Sequence, residues 1–325
     1  MKTRAIALTS AVALTAVMAV PALAQDEMAG PEPFADDADI YVPIVSKGFQ
    51  HQFWLAVRGG AEAMAEELGI EVNFIGPENE SQVDKQMEML QAEYDKDPDA
   101  VCFAALDSVA AIPLLEQMQA DGIPVVAFDS GVDSDIPITT AATDNVAAAA
   151  LAAEKMFEAI GEGAQVGVIV HDQTSRTGID RTEGFIAKAE ELGLEIVGPD
   201  FGGGDQLRST DLAKAMIQGN PDIAGFFGGN EGSAIGVINA VNELDMAGDI
   251  VVIGYDSGAA QIAAINDGLM YGAVQQNPVG IGAKCVEAAA MALQGEEVPP
   301  MIDTGFLWAD AETIDDPDVV AVLYE

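Results

Sequence analysis

Two hydrophobic patterns alternate along the chain. Short runs of apolar, β-branched residues are typical of buried strands, and longer segments with apolar residues every three or four positions are typical of helices. The series begins with a strand over 40–46 and a helix over 52–68, and it continues to about residue 293 with connections of only a few residues. This alternation predicts parallel sheets with helices on both faces.

One local pattern occurs twice. Phe128-Asp129-Ser130-Gly131 and Tyr255-Asp256-Ser257-Gly258 each close a β-branched run. Each consists of an aromatic residue, a carboxylate and a turn. The repeat, in a chain of 325 residues that is long enough for two cores, predicts two similar doubly wound α/β domains.

The first 24 residues have the features of a secretory signal peptide. Lys2 and Arg4 precede an apolar segment over 5–20, and Ala22-Leu23-Ala24 is a small-x-small cleavage site. We expect cleavage after Ala24 and export, which in a bacterium with two membranes means the periplasm. The acidic, proline-containing segment 25–35 is expected to be a flexible leader.

The charge balance is strongly acidic, with 54 acidic and 13 basic residues and a formal net charge of −41. Such a surface repels nucleic acid and anionic lipid, so both are excluded as partners. The excess of acidic residues is interpreted as adaptation to high salt, where screening by ions removes the repulsion between the negative charges of the protein. The alternative is that many periplasmic proteins are acidic.

The two cysteines and two histidines carry little functional signal. An exported chain can pair Cys102 with Cys285, but one lies in an apolar strand run and the other in a helical pattern. We therefore expect two buried free thiols. His51 and His171 have no metal-ligand spacing around them, so neither a metal nor another cofactor is predicted.

The segment after the first strand combines different binding groups. In open α/β sheets, ligands bind just beyond the carboxyl ends of the strands, where the sequence places Lys47, Gln50, His51, Phe53 and Trp54. Aromatic faces beside hydrogen-bonding groups suit a small polar ligand with an apolar face, such as a sugar. The alternative is that Phe53 and Trp54 only plug the core.

Later strand ends also carry polar residues that suit the hydroxyl groups of a sugar ring. Carboxylates accept hydrogen bonds, side-chain amides both donate and accept them, and arginine donates them from a planar fork. These strand-end residues are Asp107, Asp129, Ser130, Asp172, Arg181, Asn230, Asp256 and Gln276. A polar residue at a strand end can instead cap the next helix. Capping is the preferred interpretation for Asp107, Asp144 and Asp172, and ligand binding for Asp129 and Asp256.

The motifs of common enzyme classes are absent from the sequence. No Gly-x-Gly-x-x-Gly follows a strand, and there is no phosphate-binding loop or Gly-x-Ser-x-Gly elbow. Two carboxylates such as Asp129 and Asp256 leave a glycosidase as the enzymatic alternative. We expect no enzymatic activity.

Several longer motifs together resemble one family. They are Ser46-Lys47-Gly48 with His51-Gln52-Phe53-Trp54, Gly122-Ile123-Pro124-Val125-Val126, Thr143-Asp144-Asn145, Arg181-Thr182-Glu183-Gly184-Phe185, Asn220-Pro221-Asp222, Asn230-Glu231 and Asp303-Thr304-Gly305. With them the chain resembles, over nearly its whole mature length, the periplasmic sugar-binding proteins of ABC transporters, in the class I, ribose-binding-protein-like solute-binding family. The resemblance implies two similar doubly wound parallel-sheet lobes joined by a three-segment hinge. Lobe 1 would comprise 36–143 plus 277–305, and lobe 2 would comprise 144–276 plus 306–325.

The resemblance also implies a ligand site in which aromatic residues sandwich a sugar ring. With the residues of the first loop added, the expected site is Ser46, Lys47, Gln50, His51, Phe53, Trp54, Asp129, Ser130, Arg181, Asn230, Tyr255, Asp256 and Gln276. Four features depart from the ribose binder: the first loop is slightly longer and carries Lys47 and His51, Ser130 replaces an arginine, Tyr255 replaces a phenylalanine, and segment 202–205 lacks an aromatic. We therefore expect a sugar other than ribose, a polyol, an inositol or a furanone-type signal.

The function implied is that of a monomeric periplasmic binding component. It would bind a monosaccharide or related polyol between the lobes and deliver it by hinge closure to an inner-membrane ABC permease with its ATPase. A periplasmic sensor subunit that presents a sugar-like signal to a membrane receptor is the alternative.

Overall fold

A computed structural model describes residues 30–35 and 37–324. The predicted signal peptide and its cleavage site lie outside the described residues. Within the described ranges, no helix combines the length and apolar character needed to cross a membrane.

Strands and helices alternate as the hydrophobic pattern predicts. The strands are β1 (Tyr41–Val45), β2 (Glu71–Ile75), β3 (Val101–Phe103), β4 (Val125–Phe128), β5 (Thr139–Ala142), β6 (Gln165–Val170), β7 (Glu195–Phe201), β8 (Ile223–Gly228), β9 (Val251–Tyr255), β10 (Gly272–Gln276), β11 (Met301–Asp303) and β12 (Phe306–Asp310). The helices are α1 (Gln52–Leu68), α2 (Val83–Tyr94), α3 (Ile112–Ala120), α4 (Asn145–Ile160), α5 (Arg176–Glu191), α6 (Gln206–Gly219), α7 (Glu231–Glu243), α8 (Ala259–Asn266), α9 (Pro278–Leu293) and α10 (Pro317–Val320).

The strands form two six-stranded sheets with matching topology. Sheet 1 has the order β11-β5-β4-β3-β1-β2, and sheet 2 has the order β12-β10-β9-β8-β6-β7. All neighbours in sheet 1 are parallel, and in sheet 2 only β12 is antiparallel to its neighbour β10. The strands that precede the repeated motif, β4 and β9, occupy the same place in the two sheets. The predicted fold class is confirmed.

Each sheet is covered by helices on both faces. We call sheet 1 with α1, α2, α3 and α9 half 1, and sheet 2 with α4–α8 and α10 half 2. In half 1, Trp54 and Val57 pack on one face of the sheet and Leu90 and Leu115 on the other. Half 2 has the same arrangement, with one core under α4 and α5 and another under α6, α7 and α8. Burial of these apolar faces is what holds each sheet to its helices.

The chain passes between the sheets at three places. It leaves sheet 1 after β5, returns after β10, and crosses again from β11 to β12. Crossing segments of a few residues allow two halves to rotate about them, because only a few backbone angles must change.

The two cysteines form a disulfide. Cys102 lies on β3 and Cys285 on α9, with their Cα atoms 6.2 Å apart. The prediction of two free thiols is therefore wrong. The cysteines are 183 positions apart in sequence, and only the packing of α9 against sheet 1 brings them together.

The segment before β1 is anchored to half 1. The Phe34 N–H donates to the Leu68 carbonyl at 2.9 Å, and the Phe34 ring packs against the core. The Gln294 side chain binds the Glu32 backbone through both its nitrogen and its oxygen. Residues 31–35, which the sequence assigns to the leader, thus pack on the domain.

Candidate ligand-binding site

A cavity lies beyond the carboxyl ends of strands from both sheets. In each sheet the strand order reverses, between β1 and β3 and between β6 and β8, and open α/β sheets bind ligands at such reversals. Half 1 and half 2 both contribute to the wall. The lining residues are Lys47, His51, Phe53, Trp54, Glu80, Asp129, His171, Arg181, Asn230, Asp256 and Gln276.

Nine of the thirteen predicted site residues line this cavity, and four do not. The Ser46 hydroxyl donates to the Ile75 carbonyl at 3.1 Å, and the Gln50 carbonyl oxygen accepts from the Glu80 N–H at 3.2 Å. Ser130 is buried, and Tyr255 lies beneath Arg181 with no exposed surface. These four residues support the wall.

Two lining residues, Glu80 and His171, are missing from the predicted set. His171 directly follows β6, and this strand-end position is a sequence signal that points to the cavity. Glu80 lies five residues beyond the end of β2. The path of that loop back to the cavity is a tertiary feature without a local sequence pattern.

Lys47 lies between two carboxylates. Its Nζ is 3.9 Å from Oε2 of Glu80 and 3.9 Å from Oδ2 of Asp129. The Trp54 indole N–H donates to the other Glu80 oxygen at 2.7 Å. Burial opposes ionisation of Glu80, but the charge of Lys47 and the Trp54 indole N–H outweigh burial, so the pKa of Glu80 lies below its usual value. Glu80 is therefore an ionised, buried acceptor.

Asp129 is a buried carboxylate without a donor. Among the described residues, no N–H or O–H group donates a hydrogen bond to its side-chain oxygens, and Nζ of Lys47 lies 3.9 Å away. Burial raises the pKa of Asp129 to about 6, although Lys47 and Arg181 partly offset this effect. Asp129 has φ +54°, and its repeat counterpart Asp256 has φ +77°. This left-handed conformation is uncommon outside glycine but accessible to aspartate, and both side chains line the cavity.

Half 2 contributes a second pair of opposite charges. Nη1 of Arg181 lies 3.9 Å from Oδ2 of Asp256 and donates to the Gly229 carbonyl at 3.0 Å. Asp256 accepts from the Gln276 amide at 2.7 Å and from the Glu231 N–H at 3.2 Å. Its carboxylate is thereby fixed in orientation.

The two histidines are buried in the wall. His51 Nε2 lies 4.0 Å from Glu80, and His51 Nδ1 lies 4.0 Å from Glu231. His171 Nε2 lies 3.0 Å from the Thr177 hydroxyl, and burial lowers the pKa of His171, which keeps it neutral. Within the part of the chain that the structure describes, Nδ1 of each ring has no hydrogen-bond partner.

The aromatic residues do not form a parallel sandwich. Phe53 and Trp54 are adjacent on α1, with ring centroids 5.1 Å apart and planes at 88°. They also pack edge to face against Tyr324 and Phe128, respectively. The two rings therefore belong to the core and also line the cavity, and their contact with a ligand stays a prediction.

The three aspartates interpreted as caps all bind backbone N–H groups. Asp144 caps α4 by accepting from the Ala147 N–H at 3.0 Å. Asp107 and Asp172 each accept two N–H groups in the turns that precede α3 and α5, but the N-cap positions themselves are Ala111 and Ser175. Asp144 is confirmed as a cap, whereas the other two stabilise turns.

Contacts join the two halves around the cavity. Nζ of Lys47 donates to the Thr177 hydroxyl at 2.9 Å. The Ser108 N–H donates to the Thr174 carbonyl at 2.9 Å, and the Gln52 side chain accepts from the Ala259 N–H at 3.2 Å. This conformation is therefore one in which half 1 and half 2 touch.

The described residues show no cluster of three or more His, Cys, Asp or Glu side chains placed to hold a metal ion. The chemistry of the site is that of hydrogen bonding by buried ions and amides.

The sequence matches one protein family over most of its length. Residues 41–297 match the family model for the periplasmic binding protein domain. The ribose import binding protein of Bacillus subtilis is 29% identical over 250 residues, which cover 77% of this chain and 80% of that protein. The D-allose-binding periplasmic protein of Escherichia coli is 26% identical, over 79% of this chain and 86% of that protein.

Solved structures give the same result. An ABC transporter solute-binding protein from Agrobacterium vitis with bound D-fucose has a TM-score of 0.85 at 29% identity, covering 87% of this chain and 100% of that chain. A second one from Agrobacterium vitis, bound to α-D-tagatopyranose, has a TM-score of 0.85 at 27% identity, covering 88% of this chain and 100% of that chain.

Proposed function

The chain belongs to the periplasmic binding protein family, and we propose that it is the sugar-binding component of an ABC transporter. Its ligand is a neutral monosaccharide or related polyol, bound in the cavity between half 1 and half 2. Relatives named for ribose and D-allose, and neighbours bound to D-fucose and tagatose, support this class of ligand.

The observation that carries the proposal is the mixture of acceptor-only and donor-only groups in one small cavity. Ionised carboxylates only accept hydrogen bonds, and lysine and arginine only donate them. Lys47 with Asp129, and Arg181 with Asp256, are each 3.9 Å apart, which is too far for a direct hydrogen bond. A hydroxyl group both donates and accepts, so one hydroxyl placed beside each pair satisfies both partners. A polyhydroxylated ligand meets this requirement repeatedly.

Charge and apolar surface narrow the class of ligand further. Three carboxylates, of Glu80, Asp129 and Asp256, line the cavity against two cations, Lys47 and Arg181. This excess of negative charge opposes an anionic ligand such as a uronic acid or a sugar phosphate. Phe53 and Trp54 supply apolar surface for the C–H face of a sugar ring.

Binding is proposed to work by hinge closure. Lobe 1 is taken as 36–143 plus 277–305 and lobe 2 as 144–276 plus 306–325. A ligand that touches both lobes favours the closed state by its differential affinity for that state. The closed form then docks on the membrane permease. Small-angle scattering tests this step: saturating ligand should reduce the radius of gyration, and an unchanged radius would contradict closure.

A thermal-shift screen in molar salt tests the ligand class. The panel comprises pentoses, hexoses, polyols and inositols, with uronic acids, sugar phosphates and amino acids for comparison. A ligand at about 100 times its Kd adds roughly 2.7 kcal/mol, which raises the midpoint by about 4 °C in a chain of this size. We expect a neutral carbohydrate to give the shift. A shift only from amino acids or anionic sugars would overturn the proposed ligand class.

Export, oligomeric state and the absence of catalysis are part of the same proposal. Mass spectrometry of periplasmic protein should find an amino terminus at Gln25, and light scattering should give the mass of one chain. Turnover of an aryl glycoside that is lost in Asp129→Asn would favour a glycosidase instead.

A further inference from the structure

Asn145 is a buried amide that reaches two residues of the site without lining the cavity. It follows the first crossing between the sheets and begins α4. Its Oδ1 accepts hydrogen bonds from Nε of Arg181 and from the Tyr255 hydroxyl, both at 2.8 Å. The Arg181 N–H is a donor only, which requires the oxygen of the amide on that side.

These contacts restrict the guanidinium of Arg181. Its Nε is bound to Asn145, its Nη1 donates to the Gly229 carbonyl at 3.0 Å, and its plane lies over the Tyr255 ring with the carbon 3.8 Å from the centroid. Arginine has a long, rotatable side chain whose ordering costs entropy. Because the fold already holds the side chain, Nη2 and the remaining N–H of Nη1 are left for a ligand in a defined direction.

Asn145 is itself held by the crossing segment. Its Nδ2 donates to the Thr143 carbonyl at 3.0 Å, and the Thr143 hydroxyl lies 3.4 Å from the Gly305 carbonyl in the third crossing. Gln276, at the second crossing, similarly donates to Asp256 at 2.7 Å. Amides at two crossings therefore orient the two members of the Arg181–Asp256 pair.

We infer that Asn145 is a positioning residue for ligand binding, which holds Arg181 in its binding orientation together with Tyr255 and ties that orientation to the crossing segment. This inference rests on the proposed function for its effect on affinity, but its structural part is tested without ligand. Asn145, Arg181 and Tyr255 all belong to half 2, so their contacts do not depend on closure.

The ligand-free test measures solvent exchange of the Arg181 Nε–H by ¹⁵N NMR, with the signal assigned by its loss in Arg181→Lys. We expect Asn145→Ala to accelerate this exchange by about tenfold or more, because a buried hydrogen-bond acceptor is removed. Asp144→Ala is the matched control: it removes the cap of the same helix and should lower the melting temperature without changing the exchange rate. Equal exchange in wild type and Asn145→Ala would overturn the inference.

The binding test uses calorimetry with D-allose, D-fucose, D-tagatose and D-arabinose as probes. For the sugar that binds best, Asn145→Ala should weaken affinity by about 10- to 100-fold. The Arg181→Lys variant lacks the Nε–H at that position. In this background, Asn145→Ala should weaken sugar affinity by less than about threefold. An equal loss in both backgrounds would show a general effect on the fold and overturn the inference.

The two tests distinguish a failure of the proposed function from a failure of the inference about Asn145. If none of the four sugars nor any neutral carbohydrate of the screen binds wild type, the proposed function fails, whereas the exchange rates still decide whether Asn145 positions Arg181.

Discussion

Nζ of Lys47 and Oδ2 of Asp129 lie 3.9 Å apart in the cavity wall, about 1 Å beyond the length of a charge-assisted hydrogen bond. Arg181 and Asp256 repeat this spacing in half 2. Asp256 has protein donors, but Asp129 has none among the described residues. A bound hydroxyl would therefore change the environment of Asp129 more than that of Asp256.

Ligand affinity should depend on pH through Asp129. Its pKa is about 6 in the structure, and hydroxyl donors favour the ionised form. Affinity should thus fall as pH drops below 6, by up to about tenfold per pH unit. Calorimetry between pH 5 and 8 in buffers of different ionisation enthalpy would detect the accompanying proton release. In Asp129→Asn, binding should be weak and its dependence on pH reduced; tighter wild-type binding at pH 5 than at pH 8 would contradict this role.

The same carboxylate should limit the stability of the ligand-free protein. A carboxylate whose folded pKa is raised, from 3.8 to about 6, contributes stability that is present below pH 3.8 and lost as pH rises through 6. The difference corresponds to about 3 kcal/mol. Asp129→Asn should therefore be more stable than wild type at pH 8, by up to this amount, with the gain shrinking towards pH 4. Urea unfolding measures the difference, and the exposed Asp135→Asn is the control; a gain independent of pH would point to another cause.

Glu80 should contribute to affinity although the sequence did not indicate it. Glu80→Gln keeps an oxygen for the Trp54 N–H but removes the charge beside Lys47. We expect affinity to fall by about 10- to 100-fold, the range for a hydrogen bond to a charged group. Calorimetry with the sugar found in the screen provides the measurement. Glu78→Gln, an exposed position in the same loop, should bind like wild type, and equal losses in both variants would argue against a local role for Glu80.

The contact between Lys47 and Thr177 should favour closure. Thr177 lies on α5 of half 2, and its hydroxyl accepts from Lys47 of half 1 at 2.9 Å. Thr177→Val keeps the shape but removes this acceptor, so the closed state loses a buried contact that the open state lacks. Affinity should fall by about 3- to 30-fold, chiefly through faster dissociation measured by stopped flow. A Lys47→Met background should remove most of the effect; if the full effect persists there, the contact is not its cause.

The disulfide should stabilise the fold without affecting the ligand site. Neither Cys102 nor Cys285 lines the cavity, and their bond closes a long loop. Replacing both by alanine should cost about 2–4 kcal/mol, measured by urea unfolding, with sugar affinity unchanged. Reductant should lower wild-type stability but leave the double variant unaffected. Reaction of unreduced, denatured wild type with a thiol reagent would show that the bond is absent.

Much of the architecture was predictable because it depends on local patterns. The periods of apolar residues predicted the alternation of strands and helices, and α1 has the bounds expected from the sequence. The repeat at Asp129 and Asp256 correctly indicated two similar sheets. Since parallel strands place their carboxyl ends at one edge, strand-end residues could be expected to lie together, and nine of the predicted positions line the cavity.

Other features depended on contacts between distant parts of the chain. The sequence alone determined the two-sheet class, the strand ends that carry binding groups and the acidic surface, because each follows from local periodicity or composition. Only the tertiary structure decided that Cys102 pairs with Cys285, that Glu80 reaches the cavity, and that Tyr255 supports Arg181 rather than lining the cavity. The physical reason is that loop paths and side-chain directions are selected by packing across the whole fold, which no short stretch of sequence records.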